Sequence, residues 1–318
     1  MFSHWTAKAG GALLLGACMT IGSVTAADAT APRPPAAAAG IEVYRATDAQ
    51  AQAAEDYWTP ERMRAATPID DTFADPRSTA TTKPMSAALP KSRLHRMGKI
   101  FYHFGGHSFS CSGTIVTSHG RDSILTAGHC LRQIGGTEVG NLLTVFVPGY
   151  GSGPDMTPYG KWGVRSWHVP GRWIDLLGRS NPSYDYGVIQ VKQHKNGRIQ
   201  DVLGADTYKL SAGWQNEVYL IGYPSKYNYP VLCHAVTSKK DIKGHKSAYK
   251  FFCNDYSDGV SGSGLLLAHG DNWITGEGTI IGVLGGHHQG GDPKKDGDAS
   301  FATRLDKDFQ KFWLANSK

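Results

Sequence analysis

Residues 97–318 read as an all-β domain of short strands, a barrel or a sandwich, finished by one C-terminal helix. Apolar and β-branched runs recur from Ile100 onward, each short and each bounded by Gly, Pro, Ser or Asn. At the end of the chain the period changes: Leu305, Phe309, Phe312 and Trp313 fall at helical spacing with Asp306, Lys307, Asp308 and Lys311 between them. With 40% hydrophobic and 10% aromatic residues in 318, there is ample material for a buried core.

In chain order, residues 1–27 carry one basic residue, Lys8, then a largely apolar run from Gly11 to Val24 and the small-residue end Val24-Thr25-Ala26. The run is short and broken by glycine, so it predicts a cleaved secretory signal and no membrane span. A rival cut lies at Leu15-Gly16-Ala17-Cys18, where a lipobox would leave a lipoprotein anchored at Cys18. Residues 28–96 are a linker-like pro-segment: Pro32, Pro34 and Pro35 lead into Ala36 to Ala39, and bulky apolar residues are sparse. Within it Thr47 to Tyr57 has the makings of a short helix, and Thr59 then Pro60 reads as an N-cap and first helical position. Lys91, Arg93 and Arg96 before Gly98 form a basic junction that places a processed N-terminus between residues 92 and 99.

The strand-like runs are Ile100 to Phe104, Phe109 to Val116, Ser123 to Ala127, Leu142 to Val147, Val164 to Val169, Gly187 to Val191, Glu217 to Gly222, Leu265 to Ala268 and Thr279 to Leu284. Residues 305 to 315 form the closing helix. The net charge of +6 is only mildly basic. Lys239, Lys240, Lys243 and Lys246 cluster without interleaved aromatics, so they predict a solvated loop and no nucleic-acid surface. Adjacent His287 and His288 would point to opposite sides of a strand with no further ligand nearby, so no metal is predicted.

Three distant stretches carry chemistry: Leu125-Thr126-Ala127-Gly128-His129-Cys130, then Tyr184-Asp185-Tyr186-Gly187, then Asp258-Gly259-Val260-Ser261-Gly262-Ser263-Gly264. A serine hydroxyl attacks a carbonyl usefully only when an imidazole takes its proton. His129 is the candidate base, Ser261 the nucleophile, and Asp185 the carboxylate that fixes the imidazole tautomer. Asp122 and Asp175 are rival acids. Asp185 is preferred because it begins a strand whose first residues would be buried, and a buried carboxylate needs a partner. Gly259 and Gly262 allow a sharp turn that can aim the N–H groups of Gly259 and Ser261 at a developing oxyanion.

At these residues the chain resembles the chymotrypsin-like, or trypsin-fold, serine peptidases, over roughly residues 97 to 318. The resemblance implies two six-stranded antiparallel β-barrels, with His129 and Asp185 on the first and Ser261 on the second. It also implies a bridge from Cys111, in Cys111-Ser112-Gly113-Thr114, to Cys130. Without Cys18, four cysteines remain and fall as two local pairs, Cys111 with Cys130 and Cys233 with Cys253, although four cysteines allow three connectivities. Val260 stands where many trypsins carry the Asp that receives the new N-terminus, so any activation would follow another route. Ser263 and Gly264 are similar to the bacterial glutamyl-endopeptidase branch. Asp255 lies where trypsins place the acid of the specificity pocket, which implies basic side chains before the cut. Leu284, Gly285 and Gly286 take the place of the substrate-binding strand.

The function expected is therefore a secreted serine endopeptidase, extracellular or periplasmic, acting as a monomer on polypeptides with no cofactor. Its alternatives are a non-catalytic homologue that binds a protein and an esterase using the same triad.

Overall fold

The computed structural model describes residues 40–69, 94–132, 143–151, 155–174, 180–225, 227–253, 258–287 and 299–318. The elements in chain order are β1 (Gly40–Arg45), α1 (Asp48–Tyr57), α2 (Pro60–Arg64), β2 (Thr67–Pro68), β3 (Met97–Phe104), β4 (His107–Ile115) and β5 (Ser123–Thr126). Then come α3 (Gly128–Leu131), β6 (Val145–Pro148), β7 (Trp162–Pro170), β8 (Gly187–Val191), α4 (Ile199–Leu203), β9 (Thr207–Tyr208) and β10 (Glu217–Gly222). The last are β11 (Val231–Val236), β12 (Ser238–Lys240), β13 (Ala248–Phe252), β14 (Gly264–Leu267), β15 (Thr279–His287), β16 (Ala299–Arg304) and α5 (Lys307–Asn316).

Six strands close the first barrel, each pairing antiparallel with the next in the ring β3-β4-β5-β8-β7-β6. Gly105 and Gly106, both at positive φ, make the two-residue turn that joins β3 to β4 and sets Phe104 opposite His107. Inside, Ile100, Ile115, Ile124, Phe146 and Ile189 are fully buried, each contributing about 2 kcal/mol from apolar surface removed from water.

The second sheet runs β11-β10-β14-β15-β16-β13-β12, with β9 added in parallel to β15. Among the described residues no ladder joins β11 to β12 or β13 at the other end. The Cys233–Cys253 disulfide, Cα–Cα 5.8 Å, links them instead. The core here is Val218, Leu220, Tyr249, Phe251, Leu265, Ile281 and Leu284. Helix α5 starts at Asp306, whose carboxylate accepts from the amides of Asp308 and Phe309, and buries Phe309, Phe312 and Trp313. Lys239 and Lys240 lie in β12, so the basic cluster is only partly a loop. Lys239 pairs with Asp241 at 2.7 Å, and Lys246 with Asp306 and Asp308 at 2.6 Å each.

The described part of the predicted pro-segment departs from its linker-like composition. Strand β1 pairs antiparallel with β7. Thr47 and Gln50 cap α1 reciprocally, and the Thr59 side chain caps α2 with Pro60 in its first turn, as the sequence suggests. Trp58 is fully buried, its indole N–H donating to the Leu143 carbonyl at 2.6 Å, beside Phe101 and Tyr150 of the first barrel. Burial works against ionisation of Glu55, but the His194 ring, the Gly163 amide and Lys192 hold its carboxyl below the usual range. Alanines 51 and 54 supply the close approach: a Cβ on Gly163 would run into the backbone of Ala51. Few large side chains are needed when small ones let a helix sit directly on a strand.

Candidate active site

Strand β5 delivers Thr126 and Ala127 to the single helical turn α3, which puts His129 at the end of the first barrel with 7% of its surface exposed. Asp185 follows a tight 3-10 turn, Pro182–Tyr184, and is fully buried. That turn is clamped from several sides. Asn181 caps it, the Thr303 hydroxyl donates to the Pro182 carbonyl at 3.0 Å, and the Tyr184 hydroxyl donates to Asp308 of α5 at 3.2 Å. A carboxylate so placed must find its partners inside the protein.

The partners belong to His129. Its Nδ1 lies 3.0 Å from Asp185 Oδ2 and 3.2 Å from Oδ1, and its backbone N–H donates to Oδ1 at 2.9 Å. Trp173 covers the pair: its ring centroid is 6.5 Å from the imidazole, and a Cβ on Gly128 would stand 3.2 Å from both Trp173 and Asp185.

Ser261 arrives from the second sheet on the loop before β14. The Ser112 amide of β4 donates to the Ser261 carbonyl at 2.8 Å, and the Thr126 hydroxyl donates to the Ser112 carbonyl at 2.8 Å. Gly262, at φ +90°, presses its Cα against Ser112 and Thr126, where no side chain fits. The Cys111–Cys130 bridge closes the gap from below, with Cys130 Sγ 3.8 Å from His129 Nε2 and 3.7 Å from the Ser261 carbonyl oxygen. Imidazole and serine thus rest against one sulfur. The Ser261 hydroxyl makes a long hydrogen bond, 3.4 Å, to the Gly285 carbonyl.

The carbonyls of the Asp258–Ser261 loop are turned into the protein. Asp258 accepts from the Ser225 amide at 2.8 Å, Gly259 from the Ser112 hydroxyl at 2.9 Å, and Val260 from the Ser263 hydroxyl at 2.7 Å. Because a trans peptide sets N–H opposite C=O, the amides of Gly259 and Ser261 face the other way, an arrangement able to receive an oxyanion. Val260 is buried against Gly222 in the second core.

Leu284 pairs through its backbone with the Ser261 loop, as acceptor from Gly262 at 2.9 Å and donor to Ser263 at 2.8 Å, while its side chain fills the second core. Leu284 is fully buried, so its side chain is closed to a substrate. Asp255, Asp175 and His288 lie outside the described residues. Asp122 is remote in function from the site: burial pushes its carboxyl up, and it bonds Ser123. Cys111, His129 and Cys130 converge closely enough for a metal, but both sulfurs are spent in the disulfide. Ser112 and Trp173 were not singled out by sequence, since their roles depend on contacts with residues far along the chain.

The closed six-stranded barrel and the curled second sheet, a half-barrel where two closed six-stranded barrels were expected, together make the chymotrypsin-like fold of the serine peptidases. Among solved structures, the chain is similar to the protease Anisep from Arthrobacter nicotinovorans, at 21% identity and TM-score 0.57, covering 70% of this chain and 95% of that one. It is similar as well to the thermostable serine protease AL20 from an extremophilic microorganism, at 22% identity and TM-score 0.58 over 71% and 98% of the two chains. A Glu endopeptidase matches at 17% identity and TM-score 0.53 over 73% and 95%. No protein-family model and no curated protein sequence matches the chain.

Proposed function

We propose that the chain is a serine endopeptidase in which Ser261 is the nucleophile, His129 the base and then the acid, and Asp185 the orienting carboxylate. The observation that carries this reading is the buried Asp185–His129 pair resting on the same disulfide sulfur as the Ser261 backbone. Ser261 Oγ attacks the peptide carbonyl as His129 Nε2 takes its proton, and the oxyanion is received by the amides of Gly259 and Ser261. The protonated imidazole then gives its proton to the departing amine, leaving an acyl-serine that water cleaves by the same steps reversed. The chymotrypsin-like fold and its serine-protease neighbours support the assignment.

On this reading residues 1–27 direct export, and the pro-segment expected over residues 28–96 begins at residue 28 but ends short of Leu94. Two disulfides favour an oxidising compartment. Leu94 and Met97 are buried and Arg96 bonds buried Asp206 at 3.1 Å, so the processing cut falls upstream of Leu94. Asp255 is the candidate selector of basic side chains before the scissile bond. The test is a digest of a diverse peptide mixture by the processed protein and by Ser261→Ala, with cut sites read by mass spectrometry and a fluorophosphonate probe reporting on Ser261. Cuts and labelling lost together in Ser261→Ala support the peptidase. An unlabelled, inert processed protein discards it, and cuts without Lys or Arg before them discard the role of Asp255.

A further inference from the structure

The edge of β4 facing away from β3 has three occupants. Thr114 and Ile115 pair with β5, the Ser112 amide holds Ser261, and two residues earlier Phe109 and Ser110 pair in parallel with Thr67 and Pro68 of β2. At a strand rise of about 3.4 Å per residue, β2 sits roughly 7 Å along the same edge from the contact that holds the nucleophile. The Thr67 hydroxyl donates to the Ser108 carbonyl at 3.3 Å. Pro68 reaches further: a Cβ on Gly259, the candidate oxyanion glycine, would stand 3.5 Å from the Pro68 Cβ. Ile69, only 1% exposed, joins the first-barrel core. Behind this end the segment is anchored by Met63, Trp58 and Ala54, packed with Phe101, Val147, Tyr150 and Tyr223.

An extended peptide lying along Gly285 and Gly286 and crossing Ser261 would continue over this β4 edge, because bound peptides add to open strand edges through their main chain. Here the edge is taken. We propose that Thr67–Ile69 closes the site on its leaving-group side, so that the uncut chain is held inactive toward extended peptides by its own upstream segment. The inference rests on the serine-peptidase reading and concerns how that site is regulated. The block is local: it removes the path of the departing half of a peptide and leaves the serine reachable by a small acylating reagent.

The experiment uses the full chain, with mass spectrometry verifying that no cut has occurred between residues 69 and 94. Wild type, the double variant Thr67→Gly/Pro68→Gly and the variant Ile69→Asp are each given a fluorophosphonate with a small leaving group and a quenched peptide extending several residues past the cut. The glycine variant loosens β2 through backbone entropy while keeping Trp58, Met63 and Ile69, which protects folding. Equal labelling of all three forms is expected, with peptide hydrolysis at least about tenfold faster in the folded variants. Equal peptide rates in wild type and variants, with labelling intact, overturn the strap. No labelling in any form overturns instead the peptidase reading on which it stands.

Discussion

The Ser112 amide holds the Ser261 carbonyl at 2.8 Å while the Ser112 hydroxyl donates to the Gly259 carbonyl at 2.9 Å and accepts from the Tyr223 amide at 3.0 Å. One side chain of the first barrel therefore sets the orientation of the loop that the second sheet contributes. Ser112→Ala leaves the Gly259 carbonyl and Tyr223 amide without that partner, at a cost of about 1–3 kcal/mol. The expected kinetic outcome is a kcat lowered about tenfold with little change in KM, measured on the processed protein.

Asp185→Asn keeps the shape of the buried site but offers the imidazole an amide. The wrong tautomer of His129 is then favoured, and kcat is expected to fall by about 10⁴. Steady-state hydrolysis of a chromogenic peptide checks it. Thermal unfolding should move far less than activity.

Val260 is 4% exposed within the second core. Val260→Asp places a carboxylate there with no cation to receive it among the described neighbours. Destabilisation of about 3 kcal/mol at pH 7 is expected, easing toward pH 5 as the buried acid takes up a proton, with no gain in activity. Urea unfolding at the two pH values measures both.

Lys99 is 2% exposed, its Nζ 5.4 and 5.5 Å from the Phe101 and Tyr150 ring centroids, and burial pushes its ammonium down to about 8 from 10.5. Between those values the unfolded chain binds more protons than the folded one, so stability rises with pH across about 8 to 10.5. Lys99→Met removes the penalty: it is expected to gain about 2 kcal/mol at pH 7 and to flatten that slope. Denaturation midpoints at pH 7, 9 and 10.5 give the comparison.

Replacing Cys233 and Cys253 by Ser opens the seam between β11 and β13. The loop they close spans 20 residues, so the loss should be about 3 kcal/mol. Urea midpoints before and after the change report it.

The two cysteine pairs were legible from their count and spacing, and the stretches around His129 and Ser261, which the fold brings against one disulfide, stood out through local glycines. Helices α1, α2 and α5 were also legible, through caps and period. The strands β11, β12, β13 and β16 were not. In β11 half-buried and exposed positions alternate from Cys233 to Val236, β12 is nearly all lysine, and β16 is built on small residues such as Ala299, Ser300 and Ala302. Such strands are defined by the partners they pair with. The same holds for residues 40–69, where Ala51 and Ala54 pack by closeness and not by bulk. The role of Ser112 depended on a contact 149 residues distant, which no local pattern encodes.

In β4, Ser108, Ser110, Ser112 and Thr114 turn one set of backbone groups outward while their neighbours serve β3. A deletion or insertion of a single residue upstream of Ser112 would exchange the two sets. The contacts with β2, with Ser261 and with β5 would lose their footing in one event, so this strand tolerates changes of side chain far better than changes of length.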